Sequence, residues 1–554
     1  MKKMIITTGL LLILIASFAQ SSDIKILFNE RTIGRMIATQ EEIKAKEYIF
    51  PERIYQSYID TISNSITLQL CKLSKNEKTI KNNGKIVFYD LTDEKVKWTK
   101  KIAYQKSRLY QFDGTIIYTA AGLGNKCFSL NIENGKNMWK AETIIHFVDP
   151  AAQIGIGYKY GVNDENMLDG INLRNGKGVW QRKLNREYGW NDWFRLNDST
   201  WMIVAAGLHT VKIHDGSGWS YHAVTGKKDY KAATAITAAG LALGIFTGTY
   251  IIATGHNLVK DVVSNVYSDS TGYYFASKER LSRIRKDDGT EYWYHLLPED
   301  LTSKSSIFSK GDTLFMVNHG YAFMNNRLIN FGTPFLAAFN KETAEQLFFN
   351  KIDTKKNPIL DLKVENDNIM LLFKDRMMKC SLINGSTISE KTIDGNVSGE
   401  LKGFVSNRVY FDATNSTMTN LVLSDISQKY IITDKNKVLI FDAELNITGD
   451  IDFSQLYLAQ LKTNDYLLVT NEHQTLILDA DNNKVAEIDM KLRPVLIGNK
   501  LYSIHEKSFF EIDLTNLKTE SLPINSAGQR PAERNTHVAL KPQRGVIHLV
   551  IKSL

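Results

Sequence analysis

Cysteine and proline are scarce in this chain, with three and nine among 554 residues. Cys71, Cys127 and Cys380 are too few and too scattered for a disulfide framework. No two of them are adjacent, and none lies near the N-terminus where a lipid anchor would be attached. An excess of one charge is also lacking: the formal net charge is +8, mild for this length, and gives no case for nucleic acid. The Gly-x-Ser-x-Gly elbow and the His-Glu-x-x-His pair are absent, and Gly122–Lys126 lacks the helix that a phosphate loop must open.

What is present is a repeat. The stretches 88–98, 129–139 and 170–180 each carry an apolar alternating run, a turn and a closing tryptophan. Trp98, Trp139 and Trp180 are spaced by 41 residues, Trp219 follows after 39, and Trp293 closes a further copy. Asn-Gly or Asp-Gly between period-2 runs is a strong hairpin signal, because such turns require positive φ. With a further strand-like run upstream, each unit holds three or four short antiparallel strands. One such sheet cannot bury both its faces alone, so successive copies must stack. Units of this length that stack radially specify an all-β propeller. Weaker copies end on Phe348 and Ser389 and continue through 438–451, 475–488 and 509–521. We expect about eight blades of ~41-residue four-stranded repeats, with seven to ten compatible with the turn count.

The Asp/Asn-x-x-x-Gly-Lys-x-x-Trp pattern over about 80–300 resembles the repeat of the pyrroloquinoline-quinone-like (PQQ-like) propellers. That family includes periplasmic quinoprotein dehydrogenases and the non-enzymatic propeller of the outer-membrane assembly machine. The resemblance implies structural blade anchors at Trp98, Trp139, Trp180, Trp219, Trp293 and Phe348.

Met1–Ala19 reads as a signal peptide, with Lys2 and Lys3 before an apolar run and Ser17-Phe18-Ala19 at its end. Residues 20–57 form a lead-in, in which Arg31–Glu47 is expected as a short helix, and 58–554 form the propeller. The final run, 546–554, is expected to complete a blade begun by the N-terminal part, which leaves no open edge. Extra strand-like pieces at 406–430 have no place in the repeat.

The regularity breaks after Trp219, where an apolar insert occupies about 226–262. Residues 232–255 carry no charge and exceed the ~18 residues that raise a membrane-helix assignment. Gly240, Gly244 and Gly248 fall on one small-residue face, with Leu241, Leu243, Ile245 and Phe246 between them. Propeller sequence on both sides excludes a single span if the ring closes. A membrane-dipping hairpin, or a contact with a partner or the propeller itself, remains, and large apolar patches favour the contact.

Candidate chemistry is sparse. Asp90, Asp169, Asp287, Asp288 and Asp442 are expected at turns, where Asp bonds its own backbone. The 479–490 stretch resembles a calcium loop but has Lys484 where Gly is needed and Met490 where Glu is needed. His209, His214, His222 and His256 have no metal-ligand spacing. Tyr188, Trp190 and Trp193 offer aromatic faces to a glycan or to a neighbouring blade. The expected function is an exported, non-catalytic scaffold of a Gram-negative envelope, periplasmic or at the outer membrane, without cofactor or metal. Its partner would be another envelope protein. The alternatives are a quinoprotein-like oxidoreductase and a glycan-binding surface protein.

Overall fold

A computed structural model describes residues 26–515 and 546–550. It leaves out 61–62, 76–78, 104–106, 113, 121–125, 159–166, 185–190, 206, 224–258, 325–326, 355–356, 406–407, 413–416, 421–427, 464 and 498. The signal peptide, Tyr188, Trp190, His256 and the insert residues Gly240, Leu241, Leu243, Gly244, Ile245, Phe246 and Gly248 all lie outside the described residues. Among the described residues, no helix is long and apolar enough to cross a membrane.

The fold is all-β, a succession of antiparallel sheets of mostly four strands in chain order, which is the construction of a propeller. Two compact units divide the chain: Met1–Gly155 with Asn172–Lys177 and Ala459–Leu554, and Ile156–Ile171 with Gly178–Leu458.

In the first unit, β1 (Leu27–Met36) and β2 (Glu42–Ile49) form a hairpin, and β3 (Arg53–Asp60), β4 (Ser65–Leu73), β5 (Ile80–Asp90) and β6 (Lys95–Ala103) form a sheet. The short helix expected over Arg31–Glu47 is therefore not found. Glu42–Ile49 is rich in residues that helices accept, yet Ile43, Ala45 and Tyr48 are buried and alternate with exposed Glu42, Lys44 and Glu47's neighbour Lys46. Pairing on both flanks decides the outcome: Gly34 faces Ile488 across one edge and Ala45 faces Ile512 across the other. Gly34 is required there, since a Cβ would stand 2.0 Å from the Glu487 carbonyl oxygen. The strand Val546–Val550 pairs with β3, from Gln56↔Val550 to Asp60↔Val546. The C-terminal run thus adds to the sheet opened near the N-terminus, as the sequence indicates.

In the second unit, four-stranded sheets occupy 192–222, 267–296, 305–351, 361–392 and 401–452. Two of them are interrupted by hairpins. Tyr321–Met324 pairs with Arg327–Asn330 and also with Val259–Lys260, where the chain returns from the insert. Arg408–Asp412 pairs with Thr417–Asn420, which accounts for the unassigned pieces at 406–430.

One recurrent contact joins successive sheets inside each unit. The indole Nε1 of Trp98 donates to the Ile132 carbonyl at 2.6 Å, and that of Trp139 to Leu173 at 2.9 Å. Trp180, Trp219 and Trp293 donate likewise to Ile213, Lys286 and Lys341 at 2.7, 2.9 and 2.8 Å. Each of the first four rings also lies on the glycine of the next turn: Gly135, Gly176, Gly216 and Gly289, all with φ near +70°. Phe348 covers Gly385 in the same way but has no N–H to donate. The insertion after Trp219 leaves this contact intact.

The turn itself is built by its first residue. Asp90, Asn131, Asn172, Asn340, Asp442 and Asp479 each accept backbone N–H groups from two and three or four residues ahead. Asp442 and Asp479 are thereby held below the ordinary carboxylate pKa by these bonds, against desolvation. Asp169 departs from the expectation, since it lies buried within the strand Met167–Asn172 opposite Gln181.

Candidate interaction edge

Among the described residues, the last strand of each four-stranded sheet pairs on one side only, which leaves a row of backbone donors and acceptors along its other edge. Natural proteins guard such edges with charge, and most of these strands comply. β6 exposes Lys95, Lys97 and Lys101; Asn137–Ala141 exposes Lys140; Gly178–Lys183 exposes Lys183. Gln346–Lys351 exposes Lys351, Thr387–Thr392 exposes Glu390 and Lys391, and Ile447–Asp452 exposes Asp450 and Asp452.

The strand Glu291–Leu296 differs. Its outward positions are Tyr292, Tyr294 and Leu296, at 48, 52 and 65 % exposure, and none is charged. The alternation that places them there also turns Trp293 and His295 toward the following sheet, where His295 lies 4.9 Å from the Phe339 ring. Guanidinium groups hold the tyrosines in place. Arg283 and Arg285 lie 4.9 and 5.1 Å from the Tyr292 ring, and Arg280 lies 5.3 Å from Tyr294. Arg280 is fixed in turn by Glu291 at 3.4 Å and by the His222 and Ala223 carbonyls. Arg283 is paired with Glu342 at 2.6 Å. The strand carries a register shift at Tyr292, between the pairs Ile284↔Glu291 and Arg283↔Trp293. From Trp293 to Leu296 the pairing is regular, and an uncharged, pre-ordered edge of this kind is suited to receiving an extended segment by strand addition.

The polar cluster around His319 in the second unit is internally satisfied. His319 is buried, with Nδ1 3.0 Å from the Ile359 carbonyl and Nε2 2.8 Å from Ser306 Oγ. Burial pushes its pKa down to about 4, so the imidazole is neutral near pH 7. Asn318 beside it accepts from Ser303 and Ser305 and donates to the Leu301 and Thr333 carbonyls. Lys304 and Asp261 form an ion pair next to this network. His209 and His222 do come together, 5.3 Å between ring centres, and burial lowers His209 to about 3. Among the described residues no group of three ligating side chains could hold a metal ion. The three cysteines are buried and unbridged, and burial raises Cys71 and Cys380 to about 11 and Cys127 to about 12.

The anchors named from the sequence are therefore structural contacts between sheets, and the apolar insert falls outside the described residues. Trp193 lies on an outer position at 39 % exposure, 6.0 Å from Trp201. The tyrosine edge has a signal in the sequence, since no charge occurs between Glu291 and Glu299, but the repeat pattern there marks only Trp293.

No curated protein sequence matches this chain. Among solved structures, BamB from Moraxella catarrhalis aligns at 13% identity over 69% of this chain and 97% of its own, with a TM-score of 0.33. Sqt1 from Saccharomyces cerevisiae aligns at 9% identity over 67% of this chain and 95% of its own, TM-score 0.30. Quinohemoprotein alcohol dehydrogenase from Comamonas testosteroni aligns at 9% identity over 71% and 78%, TM-score 0.30. Residues 78–295, less than half of the chain, match the family described as outer membrane protein assembly factor BamB, and over that stretch the chain carries the PQQ-like propeller repeat.

Proposed function

We propose that this protein is an exported propeller that binds another protein of the bacterial envelope, whose extended segment adds to the edge Glu291–Leu296. The observation that carries this reading is the uncharged row Tyr292, Tyr294, Leu296 on a free edge, beside outer strands that carry exposed charge. The match of 78–295 to an envelope-assembly family supports the compartment and the class of partner. The export signal at 1–19 and the apolar insert at 232–255 fit the same setting, with the insert as a second contact to membrane or partner. A photoreactive residue placed at Tyr294 tests the reading in producing cells. We expect an adduct with a second envelope protein from position 294 and none from Gln181 or Glu390 on two guarded edges. Equal adducts from all three positions, or none from 294, would overturn it.

A further inference from the structure

Away from that edge, in the first unit, three lysines converge where β4 and β6 end beside the middle of β5. Lys85 on β5 stands directly opposite Lys101 on β6, with Asn83 opposite Ala103 two positions along. Directly opposed residues share a face, and like charges so placed destabilise a sheet. Lys72 at the end of β4 adds a third ammonium to the same cleft, of about 470 Å³, lined also by Glu52 and Asn83. A cleft of this size falls in the range that takes small ligands.

Only one carboxylate answers these charges. Glu52 Oε1 pairs with Lys85 at 3.2 Å, with the carboxylate 9 % exposed. Among the described residues neither Lys72 nor Lys101 has an ion-pair partner. The second carboxylate oxygen, Glu52 Oε2, is buried in the cleft wall without any hydrogen-bond partner. A buried acceptor left unpaired costs about 1–3 kcal/mol, more for a charged group. Two unfavourable features thus share one cleft: uncompensated positive charge, and a negatively charged acceptor lacking a donor.

A single class of ligand relieves both. We propose that this cleft binds a phosphate group bearing an ammonium or hydroxyl two carbons away. The phosphate oxygens accept from Lys72, Lys101 and the Asn83 amide, while the Glu52 side chain turns its unpaired Oε2 out of the wall to accept from the ammonium or hydroxyl. Phosphoethanolamine has this layout, whether free or as a lipid headgroup. The site is independent of the protein-binding edge, and either can fail without the other.

Calorimetric titration of the full mature chain with phosphoethanolamine, inorganic phosphate and ethanolamine tests it. We expect saturable binding of phosphoethanolamine, several-fold tighter than phosphate, and no binding of ethanolamine alone. The Lys72→Met/Lys101→Met variant should lose roughly tenfold or more for both phosphates, since two charge-assisted contacts are removed. Both lysines are exposed at strand ends, so this variant keeps its fold. Glu52→Gln should retain phosphate binding and lose the preference for phosphoethanolamine. Absence of saturation up to about 10 mM, or unchanged affinities in the double lysine variant, would overturn the proposal. Flotation on phosphatidylethanolamine vesicles, competed by free phosphoethanolamine, identifies a membrane source; binding of the free compound alone identifies a soluble one.

Discussion

The contact between a tryptophan and the next glycine turn makes a quantitative prediction at Trp180 and Gly216. Gly216 has φ +70°, and a Cβ there would stand 2.5 Å from the Trp180 ring. Gly216→Ala therefore carries two costs: about 1–2 kcal/mol for a left-handed backbone and about 1–3 kcal/mol for overpacking against the indole. Trp180→Ala removes a ring that is 8 % exposed and the 2.7 Å bond to the Ile213 carbonyl, for about 3–5 kcal/mol. Once the ring is gone, the three closest atoms to a Cβ at 216 go with it and the backbone term dominates. The two substitutions are thus non-additive, with a favourable coupling of about 1–3 kcal/mol. Gly311→Ala supplies the reference, because Gly311 has φ +57° and nothing within 4 Å of a Cβ. Its cost should equal that of Gly216→Ala measured in the Trp180→Ala background. Guanidinium unfolding of the four proteins and the reference, followed through a single transition, gives these terms. Strict additivity, or equal costs for Gly216→Ala and Gly311→Ala in the parent, would refute the packing of tryptophan on turn.

Two further outcomes follow. Burial holds His319 at about 4, below its unfolded value near 6.5, so the unfolded chain binds the proton first. Stability is then full above about pH 6.5 and falls as pH drops toward 4, by about 1.4 kcal/mol per pH unit for this group; His319→Asn should flatten that part of a melting-temperature profile measured from pH 7 to 4.5, and an unchanged slope would contradict the assignment. Deleting 231–259 should leave both the strand spectrum and any flotation with phosphatidylcholine vesicles unaltered, as the favoured protein contact requires, and loss of flotation in the deleted form would instead make the insert a membrane contact.

The periodic parts of this structure were legible because each repeat carries its own local instruction. Asn131 and Asp442 cap turns through their own side chains, glycine supplies positive φ, and the tryptophans recur at the spacing of one sheet. What was not legible depends on distant pairing. Glu42–Ile49 has no strong local preference, and its strand state comes from Ser508–Asp513 alongside it. The hairpin Tyr321–Asn330 interrupts a sheet without altering its turn signals, so the repeat conceals it. The lysine cleft joins positions from β4, β5 and β6 that only register brings together. The tyrosine edge lies between these cases: its alternation was readable, but its meaning came from comparison with the charged edges of the other sheets.

The measurement that bears most directly on the account is co-purification of an envelope partner with Tyr292→Lys/Tyr294→Lys against Val179→Lys. All three positions are 47–52 % exposed, so the Val179 change should alter stability by less than about 0.5 kcal/mol. The tyrosine changes also lose guanidinium contacts worth about 0.5–1 kcal/mol each, so the comparison is made at a temperature where both variants are folded. The account predicts that the double tyrosine variant loses the partner while the Val179 variant, on an edge already carrying Lys183, retains it. A partner held equally by both variants would contradict the claim that this edge is the docking strand.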